Sequence, residues 1–263
     1  MTSLFADFID TIKNLTEAEI AEPQCVAALS LHQDTSNVRR DVKMAYAPFD
    51  HVNSGARIVI VGLTPGKQQA TNSLRAAKQA ILDGASPTEA AERAKVFASF
   101  SGPMRSNLVK LMDSVGLASS LNIRSTATLW GEDAGLVHFT SALRYPVFID
   151  RKNWNGSTPD ALRSAIMLSW LEQYTGQELS SLPKAVLVPL GPKVSAILEH
   201  LAKIGLIKSE QILTGLPHPA GSNAERIKYF LGEKPAHLLS SKTNAAVLDT
   251  ARESILTRVR ALG

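Results

Sequence analysis

The chain holds one cysteine, Cys25, among 263 residues. A single thiol excludes an internal disulfide and any four-cysteine iron-sulfur or zinc site built by one chain. No run of 18 apolar residues occurs, so no membrane-spanning helix is expected. The opening stretch MTSLFADFIDTIKNL carries acids where a secretory leader carries lysines, and it has no small-residue cleavage site. A soluble, cytoplasmic chain with no membrane partner is therefore the expectation. Neither charge sign dominates: the formal charge is +4 and the pI about 9.2, which permits an anionic partner without demanding one. Repeats, low-complexity tracts and linkers are also missing, so a single domain over residues 1–263 is expected, with 44% hydrophobic residues to fill its core.

What is present is a change of period along the chain. Leu4, Phe5, Phe8, Ile9, Ile12 and Leu15 recur at helical spacing, so residues 1–50 read mostly as helix with a loop around HQDTSN. RIVIVGL, from Arg57, is instead a continuous β-branched run of strand length, as a parallel strand covered on both faces would be. Three similar runs follow, GLVHFTSALRY (135–145), AVLVPL (185–190) and QILTGLP (211–217). Helical segments fall between them at 67–82, 87–97, 104–115, 159–174 and 192–204, and a last amphipathic helix spans 244–262. Strands separated by helices predict an α/β fold, a three-layer α/β/α arrangement around a central four-stranded parallel sheet. In such sheets ligands bind beyond the carboxyl ends of the strands.

Two loops lie at such ends. GLTPG, Gly62 to Gly66, feeds a helix N-terminus, which suits an anion, but its spacing fits neither a Walker loop nor a dinucleotide fingerprint. LGPK (190–193) reads as a tight connection. GLPHPAGS sets His218 between two prolines that stiffen the backbone around the imidazole. A parallel sheet would let the GLTPG turn and His218 line one crevice.

At this pair the chain resembles the uracil-DNA glycosylase superfamily, with its Gly-x-x-Pro turn after the first strand and its His-Pro-small loop after the last. The likeness runs from about Arg57 to Phe230 and takes in FASFSGPMRSNLVKLMDSVGL, VHFTSALRYPV and AVLVPLGPKVSAIL in order. It implies that the turn holds a flipped nucleotide, with Gly62, Leu63, Pro65 and Gly66 around base and sugar and Phe100, or else Phe97, stacking on the base. His218 would donate to the base oxygen that gains charge as the N-glycosidic bond breaks, with Pro219 and Ser222 beside it. No metal or cofactor is implied. DNA, single-stranded or distorted, is the partner, and the enzyme would act as a monomer.

Departures from the family pattern are as informative. Thr64 stands where relatives carry Asp or Asn; its hydroxyl can hold a water but supplies no charge to a sugar cation. Gln68 and Gln69 are further water holders. Gly66 replaces a bulky tyrosine and leaves the pocket wider. Ser141, flanked by His138 and Thr140, replaces the asparagine that reads the base edge, and Ser222 replaces a leucine wedge. Lys67, Arg226 and Lys228 beside the motifs, with Arg39, Arg40, Arg105, Arg144, Arg151 and Lys152, are candidates for gripping phosphates. The expectation is a hydrolase acting on uracil or another damaged base. The alternatives are a nucleic-acid-binding member that has lost the chemistry and a nucleoside or nucleotide hydrolase.

Overall fold

The computed structural model describes residues 4–34, 40–100 and 102–262. Residues 35–37 of the HQDTSN loop, and Arg39, lie outside them. Seven strands occur among the described residues: β1 (Ser30–Asp34), β2 (Val42–Ala45), β3 (Ile58–Gly62), β4 (Val137–Ser141), β5 (Val147–Ile149), β6 (Lys152–Asn153) and β7 (Val186–Pro189). They form two sheets, of order β1-β2-β5-β6 and β4-β3-β7.

The second sheet is parallel. β3 pairs with β7 from Ile58 opposite Val186 to Val61 opposite Pro189. At its other edge the Arg57 N–H donates to Leu136 O and the Ala142 N–H to Gly62 O, so the two segments ascend together. Every residue of β3 and β4 is buried, the pattern of strands covered on both faces. The α/β class follows, but the expected fourth strand shrinks to one residue. Ile212 makes a single parallel bridge to Leu187, and the Leu213 N–H donates to Leu187 O at 2.8 Å. The chain then leaves the sheet at Gly215, whose φ of +130° and tight seat only glycine meets; a Cβ there would stand 2.7 Å from Ala251 O.

The first sheet is antiparallel and was not expected. Residues 1–50 do contain helices, Phe5–Asn14 and Glu17–Ala21, but β1 and β2 follow them. β2 pairs with both β1 and β5, and β5 returns as β6. Strands of four residues carry too few alternations to register a period. Val42 and Met44 are buried in a strand paired on both sides, by β1 and by the distant VFI segment.

The helices begin where their capping residues stand. Thr16 with Glu19, and Ser86 with Glu89, form reciprocal boxes, and Pro87 occupies a first-turn position. Lys67–Leu82 and Pro87–Ala98 pack along small residues, Ala70, Ala77 and Ala80 on one and Ala90, Ala91 and Ala94 on the other. The helix expected from Pro159 starts at Ala165, because an Asp160 side chain accepting the Leu162 N–H favours a turn there. It widens to a π turn over Leu171–Gly176.

The chain divides into two compact units. The first comprises Met1–Ser54, Gly62–Ser99 and Phe139–Leu182, and so holds the antiparallel sheet and the paired helices. The second comprises Gly55–Val61, Phe100–His138 and Pro183–Gly263. No helix among the described residues is long and apolar enough to cross a membrane.

Candidate functional site

In the first unit the GLTPG turn lies alongside the end of β4. The Ala142 N–H donates to Gly62 O (2.8 Å), the Leu143 N–H to Leu63 O (2.9 Å), and the Thr64 hydroxyl to Tyr145 O (3.2 Å). Ser141 ends β4 one residue before this ladder and is buried. The structure thus brings Gly62, Leu63, Thr64 and Ser141 together. Because the Thr64 proton is committed to a carbonyl, its oxygen meets a ligand as an acceptor only.

The helix N-terminus after the turn is already occupied. Gln69 Oε1 accepts the Gly66 N–H and Asn153 Oδ1 accepts the Lys67 N–H, both at 3.0 Å. An anion would have to displace two side chains there. The Lys67 ammonium pairs with Glu22. Gln68 donates its amide to Asn72 along the helix surface. The space opened by Gly66 is bounded by Asn153, whose Nδ2 lies 3.7 Å from where a Cβ would stand, so it is narrower than the glycine alone suggests.

Behind the turn stands a buried polar network that sequence reading missed. Glu178 accepts from Lys95 Nζ (2.9 Å), Arg144 Nε (2.6 Å) and Thr140 Oγ1 (3.0 Å). All four side chains are buried. Burial pushes the Lys95 ammonium down in pKa, with Glu178 opposing. Arg144 also reaches Tyr174 O, and Thr175 Oγ1 donates to Ser141 O, so the π turn props up the end of β4. Asp50 accepts the phenolic protons of Tyr46 (2.6 Å) and Tyr145 (2.7 Å). Burial, then Asp50, pushes the Tyr145 phenol well above its ordinary value. Arg144 therefore does not grip phosphate; its charge is spent on Glu178.

The second unit holds the His218 loop. Gly191, with φ +91°, lets the His218 side chain approach so closely that a Cβ would stand 3.2 Å from His218 Cβ. The LGPK turn is thus a seat for His218 and more than a connection. Asn107, on the helix Pro103–Ser114, donates to Pro219 O at 2.9 Å and pins the loop. The Ala220 N–H donates to His218 Nδ1 at 3.2 Å. An accepting Nδ1 leaves the proton of a neutral imidazole on Nε2, and burial pushes the His218 pKa down, which favours that neutral form.

Other expected residues have their own surroundings. Phe100 is buried in a left-handed conformation, φ 49°, in the second unit. Phe97 is 62% exposed and, with Leu82 and Arg93, lines a shallow 580 Å³ groove on the first unit's paired helices. Ser222 is exposed in a short turn. Arg226 binds Asn223 Oδ1 (2.7 Å) and Lys242 O (3.0 Å), which gives it a structural task at the surface, while Lys228 stands exposed beside it. Arg105 lies over the Trp130 ring at 5.1 Å. Arg40 reaches Thr158 O, and Arg151 and Lys152 are exposed. Among the described residues no group of three or more His, Cys, Asp or Glu could hold a metal ion.

No family model matches the chain. No solved structure matches it. It is similar to a protein named "Uncharacterized protein YoxB" from Bacillus subtilis (strain 168), at 33% identity over 225 residues that cover 85% of this chain and 86% of that protein.

Proposed function

We propose that this chain, which belongs to the family of YoxB from Bacillus subtilis, is a DNA N-glycosylase that hydrolyses the bond between deoxyribose and uracil or another deaminated or damaged base. The fold we read into it is that of the uracil-DNA glycosylases, with β4, β3, β7 and the Ile212 bridge as the four positions of a parallel sheet. One observation carries the activity: His218 is a seated, tautomerically fixed donor, held by Gly191 and Asn107 and primed on Nδ1 by Ala220. In hydrolysis the glycosidic bond breaks with its electron pair leaving on the base. His218 Nε2–H donates to the base oxygen that gathers this charge, and a donor already aimed there needs no reorganisation as the charge develops. Water then adds at the sugar carbon, and the proton it loses neutralises the departed base anion. In the first unit, the oxygen of the Thr64 hydroxyl is able to hold a water, since a hydroxyl whose own proton is committed accepts a hydrogen bond and offers none.

The second reading, a binding protein of the same fold without chemistry, draws on the same hydroxyl. Thr64 brings no negative charge to an oxocarbenium ion, and Ser141 is buried, with its carbonyl already taken by Thr175. A panel of single-stranded and duplex oligonucleotides carrying uracil, hypoxanthine, xanthine or substituted uracils, treated with protein and then alkali, separates the two. Cleavage of at least one lesion is expected, and His218→Ala should lower it by about 10²-fold while DNA affinity holds, the scale of losing one preorganised donor. A wild type that binds DNA yet leaves the whole panel uncut would move the assignment to the binding protein.

A further inference from the structure

The chain's one thiol lines a small polar cavity in the first unit. Cys25 is exposed at the end of the short turn Pro23–Cys25, and the other walls come from distant segments. β2 contributes Lys43, whose ammonium donates to Gln24 O at 2.7 Å and so lies beside the peptide that carries the thiol. The β5–β6 hairpin contributes the buried ring of Phe148 and the exposed guanidinium of Arg151. Its two-residue turn, Asp150 and Arg151, takes left-handed φ values of 50° and 65°. Asp150 is clasped to Asp41, its N–H donating to Asp41 O and its carboxylate accepting the Asp41 N–H, both at 3.0 Å. Asp41 is thereby fixed in the same wall, with Oδ1 accepting the Gln33 amide. The cavity measures about 140 Å³, less than the roughly 300–1,000 Å³ of clefts that enclose drug-sized ligands, so its occupant is small.

Gln24 decides what that occupant must offer. The residue lines the cavity and is 7% exposed; its Nε2 donates to Glu22, but its Oε1 is buried and meets no donor among the described residues. A buried acceptor without a donor is costly, and the bond it lacks is one that a ligand's N–H can make. The walls therefore call for three features at once: a cationic donor for Gln24 Oε1 and the Asp41 carboxylate, an anion for Lys43 and Arg151, and a sulfur for Cys25. A small α-amino acid that carries sulfur has all three. We propose that Cys25 is a modification site for a low-molecular-weight amino-acid disulfide of the cystine class. The Cys25 thiol loses its proton to solvent, and the thiolate attacks one sulfur of the disulfide. A new S–S bond forms between Cys25 and that half, while the original S–S bond breaks with its electron pair on the other half, which leaves and takes up a proton. The Cys25 sulfur is oxidised and the leaving half reduced, so no further oxidant is needed. The half that stays is held by its carboxylate on Lys43 and Arg151 and by its ammonium on Gln24 Oε1. None of these residues takes part in the proposed base excision.

The test exposes the full, reduced chain at neutral pH to three disulfides: cystine, cystamine, which lacks the carboxylates, and dithiodipropionate, which lacks the amines. Intact-mass spectrometry follows the adduct over time, and each rate is divided by that of the same disulfide with the urea-unfolded chain. Wild type should then react with cystine about tenfold faster than with either of the others, the scale of one charge-assisted hydrogen bond. Arg151→Gln should cut the advantage over cystamine, and Gln24→Met, which keeps the side-chain length without the acceptor, the advantage over dithiodipropionate, each to within about threefold. A thiol that is merely exposed would react with all three in proportion to the unfolded rates, and neither variant would change the ratios. Equal normalised rates in wild type, or ratios untouched in both variants, overturn the proposal. Where Gln24→Met abolishes the folded baseline in urea, the exposed Arg151 decides alone, and an advantage over cystamine that survives Arg151→Gln in full overturns it.

Discussion

The two units hold their candidate loops by opposite means. In the first, the GLTPG turn leans on the end of β4, and that segment is anchored through charge: Thr140 and Arg144 on Glu178, Tyr145 on Asp50, with Lys95 closing the set. In the second, the His218 loop leans on a glycine, a backbone carbonyl and a backbone amide, through Gly191, Pro219 and Ala220. A buried ionic set has few alternative arrangements of similar energy, since moving one member strands the others. A loop seated on glycine is held by shape, and its imidazole keeps a proton free to give. The difference teaches where each region is vulnerable, the first at its charges and the second at its close approach.

The largest effect should follow from breaking the charges. Glu178→Ala leaves Lys95 and Arg144 buried without their shared carboxylate, and losing one partner of a buried ion set costs about 3–5 kcal/mol. Urea unfolding followed by tryptophan fluorescence reads this directly. A cost below about 1 kcal/mol would mean that water or the phenol-held Asp50 compensates, and that the ionic anchoring of the turn is not what stabilises it.

This anchor was invisible in sequence for a plain reason. Lys95, Arg144 and Glu178 are separated by 49 and 34 positions, and each alone reads as a solvated surface charge. Arg144 was accordingly read as a phosphate contact. Nothing in KVFAS or GQELS announces that those side chains meet in a core. What was legible came from local chemistry: the β-branched run of β3, the helices that begin at Lys67 and Pro87, the glycine-proline turn at 62–66 and the two prolines around His218. The antiparallel sheet was not legible, because its strands are short and the pairing that joins its two hairpins, β2 on β5, spans about a hundred residues. Neither was Asn153, which gains meaning only when a hairpin built on two left-handed residues lays it on the Lys67 N–H.

A smaller effect should follow from crowding the second loop. Gly191→Ala places a methyl 3.2 Å from His218 Cβ and asks a non-glycine residue to hold φ +91°. The two together should cost about 1 kcal/mol or slightly more in stability. Cleavage should fall by more than that loss implies, because a displaced imidazole no longer meets the base oxygen squarely. Equal activity at equal folded fraction would show that the seat is structural and unconnected with His218.

The smallest effect is in the pH dependence, and it sets the histidines of the two units side by side. Burial pushes His32 and His51 in the first unit, and His218 in the second, below the ordinary 6.5. Above 6.5 each is neutral both folded and unfolded, so its full contribution is present. As pH falls below 6.5 the unfolded chain takes up protons first, and stability declines through the lowered folded values. The carboxylate of Glu225, held well below its usual range by Lys234, Ser240 and Thr243, acts in a separate window below 4.5, so the two do not overlap. His218 adds a specific clash to this general trend: a proton on Nδ1 would face the Ala220 N–H, donor against donor. His218→Gln should therefore reduce the drop in urea midpoint between pH 7.5 and pH 5.5, leaving the part due to His32 and His51. Wild-type cleavage should be flat above 6.5 and decline below it as the loop loses that bond. A midpoint drop identical in wild type and His218→Gln would place the acid sensitivity outside His218, and would remove the fixed tautomer as the reason that His218 is a ready donor.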